Sequence, residues 1–465
     1  IFIQLGKFIK RMIFPLIGFA FLGHKDEGGL LFTLIGSSIV LFFTLLSSVI
    51  SWLRYTYQME GAELRIEYGV FIRKRRYIPF ERIQSLDMTE GILHRLFGLV
   101  KIKVETAGGD LKDGAEADLS AISKKEALEI QKYFNSYKKF DQRDHEEVET
   151  PLFRITAVQL LLLSITSGGV GVIISAILAS LSQMDDFIPY KKWFGDLEKV
   201  YSQSMMFMAI LIFFGFLFIW FVALIATMLK YANFTVIKKE GDLIISQGLL
   251  ERRQMTIPIK RIQSIRMSEN PIRQMMGYAM VFVESAGGAV LDTKNSNVVL
   301  FPMIKKNELA SFIEPYLTEY KIPTDFIPLP KRALPRYILR DWYIVVPIVI
   351  VSLIFLKQWG MLSFILLGII TYWSFLKYKD AGWNLENQQL SLRYRTIIRH
   401  TVFMKKNKIQ SMNVYESYFQ RKKELSSIET FVKSGSGHGG GRITDMENED
   451  RQTIFSWYSS QKGLM

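Results

Sequence analysis

Five stretches of this chain contain no Asp, Glu, Lys or Arg: residues 30–52, 155–181, 205–229, 342–356 and 359–376. A helix needs about 20 apolar residues to cross the hydrocarbon of a bilayer, and a soluble core cannot easily hide such runs five times over. A sixth run, residues 12–23, is shorter, but Lys7, Lys10 and Arg11 can snorkel from a helix that begins earlier. The runs fall into pairs joined by short segments, which predicts three helical hairpins. Charged residues still make up 22% of the chain, and they lie mostly between the pairs. The hairpin turns hold only Lys25, Lys191, Lys192, Lys199 and Lys357 of the 58 Lys and Arg. By the positive-inside rule the other side is cytoplasmic. The first residue is Ile1, so the true N-terminus is expected upstream. The chain has no Cys, which excludes disulfides, thiolate metal sites and cysteine nucleophiles.

The stretches after the hairpins repeat one another. Ile78-Pro79-Phe80-Glu81-Arg82-Ile83-Gln84-Ser85 matches Ile257-Pro258-Ile259-Lys260-Arg261-Ile262-Gln263-Ser264, and a third copy keeps Lys408-Ile409-Gln410-Ser411. An alternating strand pattern begins 20 residues before the shared Gln in every copy, at Leu64, Leu243 and Leu390. Leu64 to Tyr68, Val100 to Glu105 and Leu390 to Tyr394 alternate apolar with polar, as antiparallel strands with one wet face do. Gly69 and Gly248 mark turns. Gly108-Gly109 and Gly287-Gly288, each after a Glu-(Thr or Ser)-Ala, mark hairpin reversals. Each copy closes with a helix: Ser123-Lys124-Lys125-Glu126 is a capping box opening a run to Tyr137, with counterparts at 305–316 and 449–458. A strand meander plugged by one terminal helix predicts a small barrel.

Paired helices followed by a strand-rich module with I-P-x-x-R-I-Q-S, a Phe97-Gly98 or Met276-Gly277 step and E-[TS]-A-G-G resemble the bacterial pleckstrin-homology-like membrane proteins of the YdbS/YdbT type, most of all the long three-module members. The third module lacks the Pro, the Glu and one Gly of the pattern. The resemblance implies an α+β membrane protein, three transmembrane hairpins each followed by a PH-like antiparallel β-barrel with a C-terminal helix. It also implies a plasma-membrane location, a shorter two-helix, single-module relative as companion, and a role in envelope defence against secreted antimicrobials. The expected organisation is hairpin 1 at 1–53, module 1 at 54–140, a charged linker at 141–154, hairpin 2 at 155–230, module 2 at 231–320, a Pro-rich linker at 321–341, hairpin 3 at 342–377 and module 3 at 378–465.

Chemistry is sparse. The five His, at 24, 94, 145, 400 and 438, stand singly, which gives no metal ladder, and no nucleophile and base arrangement or cofactor motif stands out. The Gly435 to Arg442 stretch lacks the ending of a phosphate loop and is expected to be a flexible hairpin tip. Arg82, Arg261 and Lys408 precede Gln84, Gln263 and Gln410 by two residues. They form either a basic ledge for an anionic headgroup or peptide, or, preferred by two to one, a tie of a strand end to a neighbouring loop. Glu105 and Glu284 are candidate ion-pair partners of these bases within their own modules. Arg73-Lys74-Arg75-Arg76 and Arg252-Arg253 are candidates for an anionic lipid surface, with ordinary surface charge equally weighted. The expected partners are membrane lipids and a second copy or the smaller relative; nucleic acid is a poor fit, since bases and aromatics are not interleaved. The leading expectation is a non-enzymatic scaffold, and the alternative a transporter or lipid-moving protein.

Overall fold

The structure is a computed structural model that describes residues 54–70, 72–106, 117–139, 150–167, 205–239, 241–285, 297–434 and 439–459, with isolated positions between 35 and 53. The first hairpin, the outer segment at 184–203 and the glycine pairs at 108–109 and 287–288 lie wholly or largely outside the described residues. The chain divides into two units, residues 1–147 with 251–256, and residues 148–250 with 257–465.

In the first unit β1 (Thr56–Glu60), β2 (Glu63–Tyr68) and β3 (Lys74–Pro79) form one antiparallel meander. Gly69 takes φ +115° between β2 and β3, and a Cβ there would fall 2.0 Å from the Ile72 carbonyl oxygen, so only glycine makes this turn. A single 3-10 turn at Phe80–Arg82 leads into β4 (Ile83–Glu90), α1 (Ile92–Leu96), β5 (Leu99–Thr106) and β6 (Ala117–Ser123). The helix α2 (Lys124–Lys139) opens on the expected capping box: the Glu126 N–H donates to Ser123 Oγ at 3.2 Å and the Ser123 N–H to Glu126 Oε2 at 3.4 Å. Its Ala127, Ile130 and Phe134 lie on one face and share a core with Leu64, Ile66, Ile102, Val104 and Leu119. Residues 252–254 complete this unit by pairing with β4, Arg252 opposite Glu90 and Gln254 opposite Met88.

The second unit begins with β7 (Thr150–Arg154), where the sequence suggested the end of a charged linker. Leu152 and Phe153 are buried here, and Phe153 packs 5.2 Å from Phe301 and 6.3 Å from Phe234 between ring centroids. After α3 (Ala157–Ile165) and α4 (Met205–Tyr231) the chain returns in β8 (Thr235–Lys239), which pairs with β7 so that Arg154 opposes Thr235. The Ile155 N–H donates to the Phe234 carbonyl at 3.0 Å. Both ends of the intervening segment therefore start from one bonded point. α4 exposes Phe213, Phe214 and Phe218, and its run up to Leu229 carries no charge, so these exposed apolar side chains suit a lipid environment.

Next come β9 (Asp242–Gln247), β10 (Arg252–Pro258), β11 (Ile262–Glu269), α5 (Pro271–Met275), β12 (Tyr278–Ser285), β13 (Asn297–Lys305) and α6 (Leu309–Ile313). The sequence suggested a helix over 305–316 here; α6 is shorter because Lys305 still belongs to β13, Lys306–Glu308 form a 3-10 turn, and Pro315 has no N–H to continue the helical ladder. β14 (Ile327–Pro328) lies in the Pro-rich segment, and beyond it α7 (Leu334–Leu356) and α8 (Ser363–Asp380) run back along each other. The Trp342 indole donates to Thr371 Oγ1 at 2.9 Å, and Asp341 accepts from Ser374 and from Lys377 Nζ at 2.9 Å. α7 starts well before the uncharged run at residue 342 and carries Asp341 on its way into the bilayer. β15 (Gly382–Glu386) then pairs with β14, Gly382 opposite Pro328. This segment too leaves and returns at one point.

The third repeat continues with β16 (Gln389–Arg395), β17 (Arg399–Lys405), β18 (Ile409–Tyr415), α9 (Tyr418–Arg421), β19 (Leu425–Val432), β20 (Gly439–Glu447) and α10 (Asn448–Ser459). The stretch Gly439 to Arg442, read from sequence as part of a flexible tip, is strand, with Gly439 opposite Val432 and Arg442 opposite Glu429. The described strands are ordered in sheets of three and of seven. In this unit one sheet of seven runs β13-β12-β11-β17-β16-β15-β14 and crosses from the second repeat into the third, and β18-β19-β20 form a separate sheet of three.

Candidate functional site

The crossing is the most highly organised polar region of the second unit. β11 follows a 3-10 turn at Ile259–Arg261 and β17 precedes one at Lys406–Lys408; they pair from Ser264 opposite Met404 to Glu269 opposite Arg399. Buried charge is tolerated only when paired and hydrogen-bonded, and the seam satisfies this in two clusters. In the first, Arg399 donates through Nε to Glu269 Oε2 at 2.7 Å and through Nη2 to Oε1 at 2.6 Å, and reaches Asp380 Oδ1 at 3.2 Å. Asp380 also binds Arg395, whose other side donates to Gln274 of α5.

In the second cluster Glu284, 1% exposed, accepts from Arg266 at 2.6 Å and 3.0 Å and from Ser264. Arg266 donates in turn to the Tyr394 hydroxyl at 2.8 Å and to the Gly440 carbonyl at 2.7 Å, both in the third repeat. Burial pulls the Arg266 pKa down, but Tyr394 and Glu284 outweigh it and the net shift is upward. His400 sits opposite Ser268 with Nδ1 3.0 Å from Ser268 Oγ, and its ring centroid lies 5.5 Å from that of Tyr394. Burial, helped by the Arg266 charge, pushes its pKa down to about 4, so it is neutral at pH 7. A cleft of about 410 Å³ opens beside the seam, lined by Glu269, Lys306, Phe326, Arg393, Thr401 and Phe403. Arg393 stacks on Phe326 at 4.4 Å, and burial followed by the nearby Arg399 charge lowers its pKa.

A third cluster joins the foot of α7 to the last repeat. Asp445, fully buried at φ +60°, accepts from Arg336 at 2.6 Å, from Arg340, and from Gln420 Nε2 at 2.9 Å. This grips the membrane helix before it enters the bilayer.

The residues singled out from sequence are placed as follows. Lys408 Nζ donates to the Lys260 carbonyl at 2.9 Å, and Gln263 Nε2 to the Arg261 carbonyl at 2.9 Å. Gln410 is exposed, and its carbonyl accepts from the Tyr458 hydroxyl at 3.1 Å. Arg82 is exposed on its 3-10 turn, while Gln84 lies on β4 at a register irregularity next to Ser85, which opposes Glu105 of β5. The arginine that binds Glu284 is Arg266, which the motif comparison did not single out. Arg73, Lys74, Arg75 and Arg76 run up to and along β3; Arg73 binds Glu67, and Arg75 lies 3.2 Å from it. Arg252 and Arg253 open β10, and Arg253 pairs with Glu251 at 3.0 Å. Among the described residues no three His, Asp or Glu converge as metal ligands would.

Sequence reading missed the seam because no single module contains it. One signal was present. Glu90, Glu269 and Glu416 each lie six residues after the repeat Gln, and Arg73, Arg252 and Arg399 each lie 11 before it. Two of these pairs meet where one repeat joins the next, Glu90 opposite Arg252 and Glu269 opposite Arg399.

Repeated strand meanders of this kind, the second and third introduced by apolar helices, define a transmembrane protein built from bacterial PH domains. The chain belongs to the bacterial PH domain family, whose pattern it matches over residues 6–138, 169–320 and 344–462. It is 37% identical over 470 residues to the UPF0699 transmembrane protein YdbT of Bacillus subtilis (strain 168), covering 98% of this chain and 94% of that relative.

Proposed function

We propose that this chain is a non-enzymatic assembly platform in the bacterial plasma membrane, holding its three PH-like modules on the cytoplasmic side to bind protein or lipid. The observation that carries the reading is the sheet of seven running from the second repeat into the third, with buried ion pairs along its seam. Such a seam holds two modules as one surface beside the membrane, which a binding platform requires. The pairing of β7 with β8 and of β14 with β15 supports a shared side, because each membrane segment returns to the strand it left. The excess of Lys and Arg outside the hairpin turns supports the cytoplasm as that side. Envelope defence as the setting is part of this proposal.

Purification of the full chain from its native membrane in mild detergent is expected to bring down a stoichiometric protein partner or bound anionic lipid. A bare monomer with neither would refute the platform. Reporter fusions at Gly114 and Trp193 are expected on opposite sides of the membrane, and the same side for both would refute the topology.

A further inference from the structure

The seam uses two edges, and the chain carries one more of each. β18 occupies in the third repeat the place that β11 holds in the second, and β3 occupies in the first the place that β17 holds in the third. Among the described residues β18 and β3 each end their sheets, in the orders β18-β19-β20 and β1-β2-β3. Their exposure differs accordingly. Seven of the eight residues of β11 are buried, but only Ile409 of β18; four of β17 are buried, but only Ile78 of β3. An exposed edge strand is a template for another strand, and proteins normally cover or blunt it.

We propose that β18 of one copy pairs with β3 of a second copy, repeating between molecules the joint that β11 and β17 make within one. This rests on the assembly role proposed above and names the partner as the chain itself. The internal joint supplies the register: Glu269 opposes Arg399 and Ser264 opposes Met404. Transferred by repeat position, Glu416 opposes Arg73, Tyr415 opposes Lys74, Asn413 opposes Arg76 and Ser411 opposes Ile78. The pairing of Arg252 with Glu90 in the first unit has the same register and the same charge pair. The unused pair is poised similarly. The Arg399 side chain is 12% exposed and Glu269 2%, whereas Arg73 is 64% exposed and Glu416 25%. Arg399 binds Asp380 of its own repeat as well as Glu269 across the seam; Arg73 likewise binds Glu67 of its own sheet and has a face left for Glu416 of the next copy. Among the described residues the ion-pair partner of Glu416 is the exposed Arg421, at 3.4 Å. The basic run at 73–76 facing Glu416 adds attraction between unlike edges and repulsion between two β3 edges. The interface is head-to-tail, so it propagates into a ring or a row in the membrane plane.

The absence of Cys makes the register testable in the whole chain. Purified Tyr415→Cys and Lys74→Cys variants, reconstituted together in vesicles and oxidised, are expected to form disulfide-linked dimers. Tyr415→Cys with Arg75→Cys should not, because a one-residue slip turns the side chain to the other face. Adding Glu416→Arg to the first variant should reduce the dimer to background, and adding Arg73→Glu to its partner should restore it. Both positions are exposed, and the restored variant shows that folding is kept. No dimer, equal dimer in the two Cys pairings, or no response to the charge swap would overturn the proposal. A chain that co-purifies another protein yet gives no such dimer would lose self-assembly alone and keep the platform.

Discussion

Glu284→Ala is the sharpest single perturbation of the seam. The carboxylate is 1% exposed, takes two hydrogen bonds from Arg266 at 2.6 Å and 3.0 Å and one from Ser264, and its removal leaves the guanidinium with only neutral partners, Tyr394 and Gly440. Breaking a buried pair by deleting one partner costs about 3–5 kcal/mol, mostly through the stranded charge. Replacing both members with apolar groups should therefore cost less than the single change. In a double-mutant cycle of Glu284→Met and Arg266→Met, the coupling between the two sites is expected at about 1–3 kcal/mol. The measurement is pulse proteolysis of the full chain in membranes across a urea series, read at the second and third repeats. A Glu284→Ala cost below about 1 kcal/mol, the range of exposed pairs, would refute the claim that this pair holds the seam.

Three further expectations follow. His400, with its pKa lowered from 6.5 to about 4, binds its proton later in the folded chain than in the unfolded one. Its contribution is thus complete above pH 6.5 and is lost as pH falls towards 4; on the order of 3 kcal/mol is at stake. His400→Gln should flatten the stability profile over that window, and an unchanged slope would show that the ring does not control it. Asp445→Asn leaves Arg336 and Arg340 without their shared carboxylate and should cost about 2–4 kcal/mol, measured as faster protease cleavage of the third repeat. Gly440→Ala should lower expression and folding yield strongly, because a Cβ at φ +125° falls 2.0 Å from the Thr430 carbonyl oxygen; wild-type melting behaviour would refute this.

The strand order within a repeat was legible because alternation at Leu64, Leu243 and Leu390 and the capping box at Ser123 are local signals. The apolar runs were legible for the same reason. β7 and β14 were not: Leu152 and Phe153 are only two apolar residues beside a charged stretch, and Ile327 is one residue among prolines. Their strand character comes from β8 and β15, far along the chain. Gly439 and Gly440 looked like a loop because composition alone cannot tell a flexible glycine from one squeezed against a neighbour. A Cβ on Gly439 would lie 2.5 Å from Glu284 Oε2, a carboxylate of another repeat. The candidate basic residues were visible as charge, but their partners, Glu67 and Glu251, depend on strand pairing and turn shape.

The bonded step from Arg154 to Thr235 makes the lipid-embedded excursion at 155–234 a closed detour whose two ends already touch. Excising it and bridging β7 to β8 with a tight two-residue turn leaves the strand ladder intact. The same surgery applies between Pro328 and Gly382, though there it also removes the arginines that grip Asp445. The first excision also removes Phe234, which packs on Phe153, and the Thr166 hydroxyl that accepts from buried Arg273, so a water-soluble version of this repeat must keep the aromatic and replace Arg273 along with the detour.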